Sequence, residues 1–390
     1  TVRLAQRLAD FTPIGLEKVF FSSDGSSATE AALKIAFQYW HQSGIEREAL
    51  SHRSRQHRTK FVSLGEAYHG DTLGAIGVGG VDRFTSIFSP LTFEAIRVPG
   101  PGMTDSLSST GDGGPRIDPS SRHTTAEATL SELENLFKNK GSEIAALIME
   151  PLVQAAGGIL VHPPGFLRAV RKLTERFQIL LILDEIAVGF GRTGTMFACE
   201  QEDVSPDILC LGKGLTAGYL PMAATITTAQ IWEQFLGSHQ DGRAFYHGHT
   251  FGGNPLAAAV ALENIRILEE EKIIETVRKN TSKYLKEKWL LLNDHPLIGE
   301  ARIKGMMGAL ELTPDKSRRS PFQLPEGNAG MITREISLKN GLIMRAVGDK
   351  MIISPPLIIN KKEIDELIIL VWKSLDESKN QLEKLGISFN

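Results

Sequence analysis

The sequence predicts an α/β protein: a large domain on a mostly parallel sheet, then a smaller α+β C-terminal domain. Three observations carry this. Short apolar runs alternate with amphipathic helical stretches through the first two thirds of the chain, the pattern of strand–helix–strand units. Beyond Asp294 the character changes to short strands mixed with helices. The 390 residues also exceed what one hydrophobic core usually organises. The expected division is residues 1–290 and 291–390.

Taken in order, Val2, Leu4, Ala5 and Leu8 have helical spacing. The chain opens inside this helix without an initiator Met, so an N-terminal piece is expected to be missing. Residues 18–21 read as a short buried strand. The small-residue turn Ser22-Ser23-Asp24-Gly25-Ser26 leads to a helix with Ala28, Ala31, Ala32 and Ile35 on its apolar side. Ser27 and Glu30 have capping-box spacing, which predicts a helix start there. Residues 41–60 are basic and polar, a solvated helix end and loop. Another strand, 61–64, runs into Ala67-Tyr68-His69-Gly70-Asp71-Thr72.

Residues 99–125 are rich in Gly, Pro, Ser and Thr and lack periodicity; loops of that length usually serve function or move. Helices at 126–138 and 165–176 alternate with strands at 145–149, 179–183 and 208–211. A long helix begins at Asn254-Pro255 and continues through Leu262, Ile265 and Leu268. The C-terminal part reads as strands 306–312, 342–345 and 350–354 with helices 329–339 and 361–382.

Composition narrows the function. Lys plus Arg number 43 against 46 Asp plus Glu, a net charge of −3 that gives no reason to expect nucleic acid or an anionic membrane as partner. Two cysteines, Cys199 and Cys210, cannot supply a disulfide framework, and a cytoplasmic home is the simplest expectation. The greasiest run, 179–183, ends at Asp184-Glu185, far short of a membrane span. No signal-peptide pattern opens the chain.

The chemistry is suggested by where polar residues fall, repeatedly at the ends of predicted strands. In open α/β sheets the ligand crevice lies outside those carboxyl ends. Asp24-Gly25-Ser26 stands between a strand and a helix N-terminus, where free amides and the helix dipole suit a phosphate; a plain glycine turn with a serine cap is the bland alternative. Asp184 ends the most apolar strand, as a cap, a surface ion pair or the partner of a cation. Facing a ring nitrogen at ~4 Å with an effective dielectric near 20, it would attract by about 4 kcal/mol. That is about three orders of magnitude in a protonation equilibrium. Lys213, between Gly212 and Gly214, is a solvated charge or else a desolvated amine suited to Schiff-base chemistry.

Rival motifs are weaker. Gly189-Phe190-Gly191-Arg192-Thr193-Gly194 matches a dinucleotide fingerprint, but that motif needs an acid about 20 residues on. Gly212-Lys213-Gly214 stands there instead. A phosphate loop fails because Asp207 replaces its first glycine. His247 and His249 lack a further ligand at metal spacing, so no metal is expected.

Leu183 through Gly194, followed by Pro206-Asp207-Ile208 and Gly212-Lys213-Gly214, resembles the signature of class III pyridoxal-phosphate-dependent aminotransferases, and the likeness extends over essentially the whole chain. It implies fold type I with a mainly parallel seven-stranded sheet, pyridoxal 5'-phosphate as cofactor and a homodimer with shared active sites. Lys213 would carry the cofactor, Asp184 would pair with its ring nitrogen, and Gly25 and Ser26 would hold its phosphate. Tyr68 would stack on the ring, Gln154 would lie near the ring hydroxyl, and Thr250 would reach the neighbouring subunit's phosphate. Each of these residues taken alone has an ordinary packing or turn role; their joint order makes the case.

Residues 61–71, 150–158 and 197–213 are most similar to the branch of the family that aminates 8-amino-7-oxononanoate in biotin biosynthesis with S-adenosylmethionine as donor. That resemblance implies Arg345 as the partner of the substrate carboxylate, for which a guanidinium has the bidentate geometry, although a surface arginine reads the same. Asp71 would help position substrate. His249 stands near the donor pocket where some members have Pro, which leaves the donor open, and Ala155-Ala156 replaces a usual Gly-Ala. The Gln-Gly-Glu segment of ornithine-type members is absent. The alternatives are a broader ω-amine:pyruvate transaminase, an aminomutase, and a dinucleotide-binding or non-catalytic α/β protein.

Overall fold

The computed structural model describes residues 1–51, 58–102, 125–325 and 327–389. Its strands are β1 (Leu16–Ser22), β2 (Lys60–Leu64), β3 (Ile96–Val98), β4 (Ile144–Met149), β5 (Val153–Gln154), β6 (Leu160–Val161), β7 (Leu180–Asp184), β8 (Ile208–Leu211), β9 (Ala223–Thr228), β10 (Ile298–Lys304), β11 (Met307–Leu312), β12 (Arg345–Val347) and β13 (Lys350–Ile353). Seven form one sheet in the order β1-β9-β8-β7-β4-β2-β3. β2, β3, β4, β7 and β8 are parallel, and β9 is antiparallel to both β8 and β1. The mainly parallel sheet therefore has one reversed strand. β9, Ala-Ala-Thr-Ile-Thr-Thr, has no apolar–polar alternation because it is buried almost throughout, and sequence periodicity gives no hint of it.

Every residue of β4, β7 and β8 is buried, and their side chains alternate between two cores. Leu147, Met149, Leu181, Leu183, Leu209 and Leu211 share one with the helices Ala126–Lys140, Phe166–Arg176 and Pro255–Glu270. Ala146, Ile148, Ile182, Ile208 and Cys210 share the other with Ala28, Ala32, Ile35 and Ala36 of the helix Gly25–Ser51. By the same alternation Asp184 projects toward the second face.

That helix starts earlier than its sequence suggests. Asp24 is the cap, its carboxylate accepting from Ser27 N at 2.9 Å and Ser27 Oγ at 3.1 Å, the geometry of a carboxylate cap reaching the third helical amide. Glu30 is thereby released from a capping box and accepts from Gly74 N instead, at 2.7 Å. The helix continues to Ser51; the rest of the polar stretch to 57, and residues 103–124 of the glycine-rich loop, lie outside the described residues.

The four-stranded sheet β10-β11-β13-β12 is antiparallel throughout. One face, with Ala301, Leu310, Met351 and Ile353, packs into a third core with Trp289 and with Val371 and Leu375 of the helix Lys361–Lys384. Val277, Leu285 and Trp289 belong to this core, so it draws on residues before the expected boundary at 290/291. The opposite face, with Arg302, Ala309, Lys350, Ile352 and Arg345 in register, turns toward the large sheet, where Ala309 and Ile352 join the first core. The strand expected at 342–345 begins only at Arg345. Leu342 N is still bonded to Ser337 O of the preceding helix, at 2.8 Å, and Leu342 and Met344 fill the third core. Among the described residues no helix is long and apolar enough to cross a membrane.

Candidate active site

Asp184 and Lys213 stand at the carboxyl ends of adjacent parallel strands. Asp184 is paired in register with Cys210, and Lys213 comes three residues later, so both rim the same edge of the sheet. The Asp184 carboxylate is nearly buried, with Oδ1 accepting from Ile186 N at 3.0 Å and Oδ2 lying 2.8 Å from His69 Nδ1. A carboxylate can only accept there, so His69 donates from Nδ1.

Lys213 has φ +37°, a left-handed backbone that non-glycine residues rarely hold without a surrounding that enforces it. Packing supplies that surrounding: a Cβ at Gly214 would lie 2.7 Å from Phe190 Cβ, and one at Gly212 3.3 Å from Ile186 Cγ2. The lysine is exposed in this chain, and its amine has no hydrogen bond or ion pair among the described residues. The expected desolvation is therefore not supplied by this chain, because the residues just beyond it, Ala217 to Leu220, are themselves exposed.

His69 is the residue that sequence reasoning passes over. Its ring is fully buried, Thr29 Oγ1 donates to its carbonyl at 2.9 Å, and Nε2 has no partner among the described residues. Its only sequence signal is its place between Tyr68 and Gly70, just past β2. Glu150, at the end of β4, is also buried; its two oxygens accept from Tyr68 N at 3.2 Å and Ala155 N at 2.9 Å. Burial pushes the Glu150 carboxyl up to about 7, against the opposing pull of His69.

The Tyr68 hydroxyl donates to Asp71 Oδ2 at 2.9 Å. Burial, and then Asp71, push it up to about 12, while the nearby charge of Arg345 works in the opposite sense. Arg345, exposed on β12, thus acts electrostatically on Tyr68, and among the described residues its guanidinium has no hydrogen bond or ion pair.

Gly25 and Ser26 lie in the first turn of a 27-residue helix, where backbone amides have no acceptor within the helix. Asp71 N donates to Ser26 Oγ at 3.1 Å. Gly70 has φ +126°, and a Cβ there would lie 2.2 Å from Ser26 Oγ; one at Gly25 would lie 2.9 Å from Ile186 Cγ2. These glycines let the two loops close on each other beside Asp184.

Three of the expected residues lie apart from this cluster within the single chain. Gln154 is fully buried and committed to packing: Nε2 donates to Gly65 O at 2.7 Å, and Oε1 lies 3.4 Å from His162 Nε2. Its short strand β5 directs the amide to Gly65 O, in the loop after β2. Burial pushes the His162 ring down to about 3. His249 and Thr250 are exposed, at the end of a strap fastened to the helix Gly25–Ser51 by Gln38 and Gln42, which donate to Arg243 O and Ala244 O. His247 and His249 stack edge to face at 5.2 Å, and no metal-holding cluster occurs among the described residues.

The dinucleotide-like turn has a structural use. Phe190, Gly191 and Gly194 have φ of +54°, +87° and +105°, and Glu185 ties the turn down by accepting from Ala198 N at 2.6 Å and Cys199 N at 2.8 Å. The residues after it form a short 3-10 helix, Ala198–Glu202, rather than the long helix whose N-terminus a pyrophosphate needs. Asp207 is likewise engaged, by Arg171 and Leu181 N, at 2.7 Å each.

The donor set fits pyridoxal 5'-phosphate. Unsatisfied helix amides suit its phosphate, a buried carboxylate held by His69 suits its ring nitrogen, and an unpartnered lysine amine suits its aldehyde. The family model for class-III aminotransferases matches residues 1–374. The chain is 43% identical, over 94% of its length, to the adenosylmethionine-8-amino-7-oxononanoate aminotransferase of Nitratidesulfovibrio vulgaris, and spans 64% of that enzyme's length. It is 40% identical to the putrescine–pyruvate aminotransferase of Pseudomonas aeruginosa, over 97% of this chain and 77% of that one. Among solved structures, the adenosylmethionine-8-amino-7-oxononanoate aminotransferase of Methanocaldococcus jannaschii superposes with a TM-score of 0.83 at 36% identity, covering 96% of this chain and 79% of that one. The chain belongs to the class-III aminotransferase family, whose cofactor is pyridoxal 5'-phosphate.

Proposed function

We propose that this chain converts 8-amino-7-oxononanoate to 7,8-diaminononanoate, with S-adenosylmethionine as amino donor. The chemistry rests on the pair at one sheet edge, a buried Asp184 locked by His69 and a Lys213 amine free of partners on the adjacent strand end, and the choice of substrate is supported by the likeness to the adenosylmethionine enzymes. When bound, pyridoxal 5'-phosphate supplies an aldehyde that exchanges amines and a ring that takes up the electron pair left on the substrate carbon. Asp184 would hold a proton on the ring nitrogen, and His69 would keep that carboxylate oriented. The amine of Lys213 would hold the cofactor's aldehyde end and, when free, would act as the base that moves a proton at the substrate carbon. Gly25 and Ser26 would hold the phosphate, Tyr68 would cover the ring, and Arg345 would take the substrate carboxylate, with Asp71 holding the Tyr68 hydroxyl.

A cytoplasmic homodimer belongs to the same reading. Tyr219, Tyr246 and Phe251 are 81%, 74% and 75% exposed, aromatic surface that a second copy would cover while bringing Thr250 to the neighbouring phosphate. His249 would lie near the donor.

A second reading, a broader ω-amine:pyruvate transaminase, is favoured by the similarity to the putrescine enzyme. Single half-reactions monitored by the visible cofactor band, with S-adenosylmethionine, lysine and putrescine as donors, separate the two. Amination of 8-amino-7-oxononanoate by the S-adenosylmethionine-charged enzyme is the expected result. Turnover of putrescine and pyruvate without it would replace the biotin reading by the broader one.

A further inference from the structure

Lys350 has no part in the chemistry above, yet its ammonium is drawn from water to meet a backbone carbonyl, with Nζ donating to Gly157 O at 3.0 Å. Burial pushes the amine below the usual lysine range, and no carboxylate lies within ion-pair distance among the described residues. Arg302, its neighbour on the same face, differs: it grips Gly158 O and Ile159 O at 2.9–3.1 Å but is balanced by ion pairs to Glu300 and Glu311.

The location of Lys350 gives this burial a use. Val347 pairs with Lys350 and Arg345 with Ile352 across the hairpin β12–β13, and directly opposed residues share a face. Arg345, Lys350 and Ile352 therefore point the same way, toward the large sheet. Ile352 packs into the first core and Lys350 grips a carbonyl, while the guanidinium of Arg345, directly opposite Ile352, has no hydrogen bond or ion pair among the described residues. The gripped turn leans directly on the loop that presents Tyr68: a Cβ at Gly157 would lie 2.6 Å from Glu66 O. Gly158 is tailored to the contact, since a Cβ there would lie 2.4 Å from Lys350 Cδ.

We infer that Lys350 is a positioning residue, whose grip on the Gly157 carbonyl fixes the β12–β13 hairpin and with it the placement of Arg345 for a substrate carboxylate. This deepens the proposed function and rests on its reading of Arg345. The amine exchange at Lys213 is borne by a different strand and does not depend on the grip.

The test uses the holoenzyme and four proteins: wild type, Lys350→Met, Lys350→Arg and Arg345→Ala. Lys350→Met keeps the side-chain volume and removes the donor. It should raise the KM for 8-amino-7-oxononanoate about tenfold and leave kcat within about twofold, because misplacing one binding group weakens docking and not the chemical step. Lys350→Arg keeps a cationic donor and should recover most of the loss. Calorimetric binding of nonanoate, a plain nine-carbon carboxylate, should weaken by the same factor in Lys350→Met and more in Arg345→Ala, with the visible band unchanged. Retained nonanoate affinity in Lys350→Met alongside loss in Arg345→Ala overturns the grip alone. Retention in both overturns the Arg345 reading and the inference with it. A fall in kcat equal to the rise in KM, unrecovered by Lys350→Arg, makes Lys350 a general stability residue and also overturns the grip.

Discussion

Two turns that contain glycine come after strands of the large sheet, and only one of the two has the surroundings for an anion. The turn after β7, Gly189 to Gly194, carries the more eye-catching pattern, yet its backbone is engaged internally, closed by Glu185 onto Ala198 N and Cys199 N. The turn after β1, Asp24-Gly25-Ser26, has one glycine and no recognisable motif. It opens a 27-residue helix and abuts Gly70 and Ile186, beside Asp184. A glycine pattern reports that the chain bends sharply; the element beyond the bend decides whether free amides are left for a ligand. The adjacent acids Asp184 and Glu185 repeat the lesson, one turned to the site and the other to the glycine turn.

Substitutions should separate the two regions cleanly. Lys213→Ala should abolish the visible cofactor band and lower kcat/KM at least about 10³-fold, with the melting temperature of the apoprotein unchanged. Asp184→Asn should retain a band but lose about 10²–10³ in kcat/KM, the rate equivalent of ~3–4 kcal/mol of ring-nitrogen stabilisation. On the other side of the comparison, Glu185→Ala would leave two buried amides without an acceptor and cost about 2–4 kcal/mol of stability. Its folded fraction should still bind cofactor; a normal melt combined with lost cofactor would reverse the roles given to the two acids.

The glycines themselves offer a finer contrast. A methyl at Gly25 must displace Ile186, which also packs on Gly212 next to Lys213. Gly25→Ala should therefore weaken cofactor binding about tenfold, or ~1.4 kcal/mol, in an equilibrium titration of the apoprotein. Gly191 has φ +87°, and its Cβ would lie 3.0 Å from Ile274 Cγ1. Gly191→Ala should cost roughly 1–2 kcal/mol of stability through backbone strain with cofactor affinity unmoved. Equal affinity losses in both variants would erase the distinction between the turns.

The legibility of the sequence obeys the same physics. Strands β7 and β8 and the polar residues just past them are legible because a buried parallel strand is a short apolar run that stops abruptly. Asp184 and Lys213 can be located at the sheet edge on that ground alone. His69 cannot, because its partner Asp184 lies 115 residues away and no local pattern encodes such a contact. The bonds of Gln154 to Gly65 O and His162 are hidden for a related reason: its motif fixes its neighbours in sequence, whereas a two-residue strand, β5, fixes where its amide points. β9 and the helix Ser282–Leu290 escape a sequence reading where burial on several sides, or a charged surface, masks the period.

The smallest expected effect concerns pH and again distinguishes the turn after β7 from the site. Burial pushes the Glu185 carboxyl up to about 7, the opposing help of the Ala198 and Cys199 amides notwithstanding. In the unfolded chain it titrates near 4.5, so the folded state binds the proton more tightly between those values. The contribution to stability is thus full below about pH 4.5 and lost as pH rises through 7. Glu185→Gln cannot titrate. Its melting temperature should be lower than that of the wild type at pH 5, since its amide N–H₂ must face a backbone donor, and the gap should narrow by roughly a few degrees at pH 8. A gap that widens with pH would mean that the two amides hold the carboxylate ionised throughout, tying the glycine turn more strongly at neutral pH than burial alone allows.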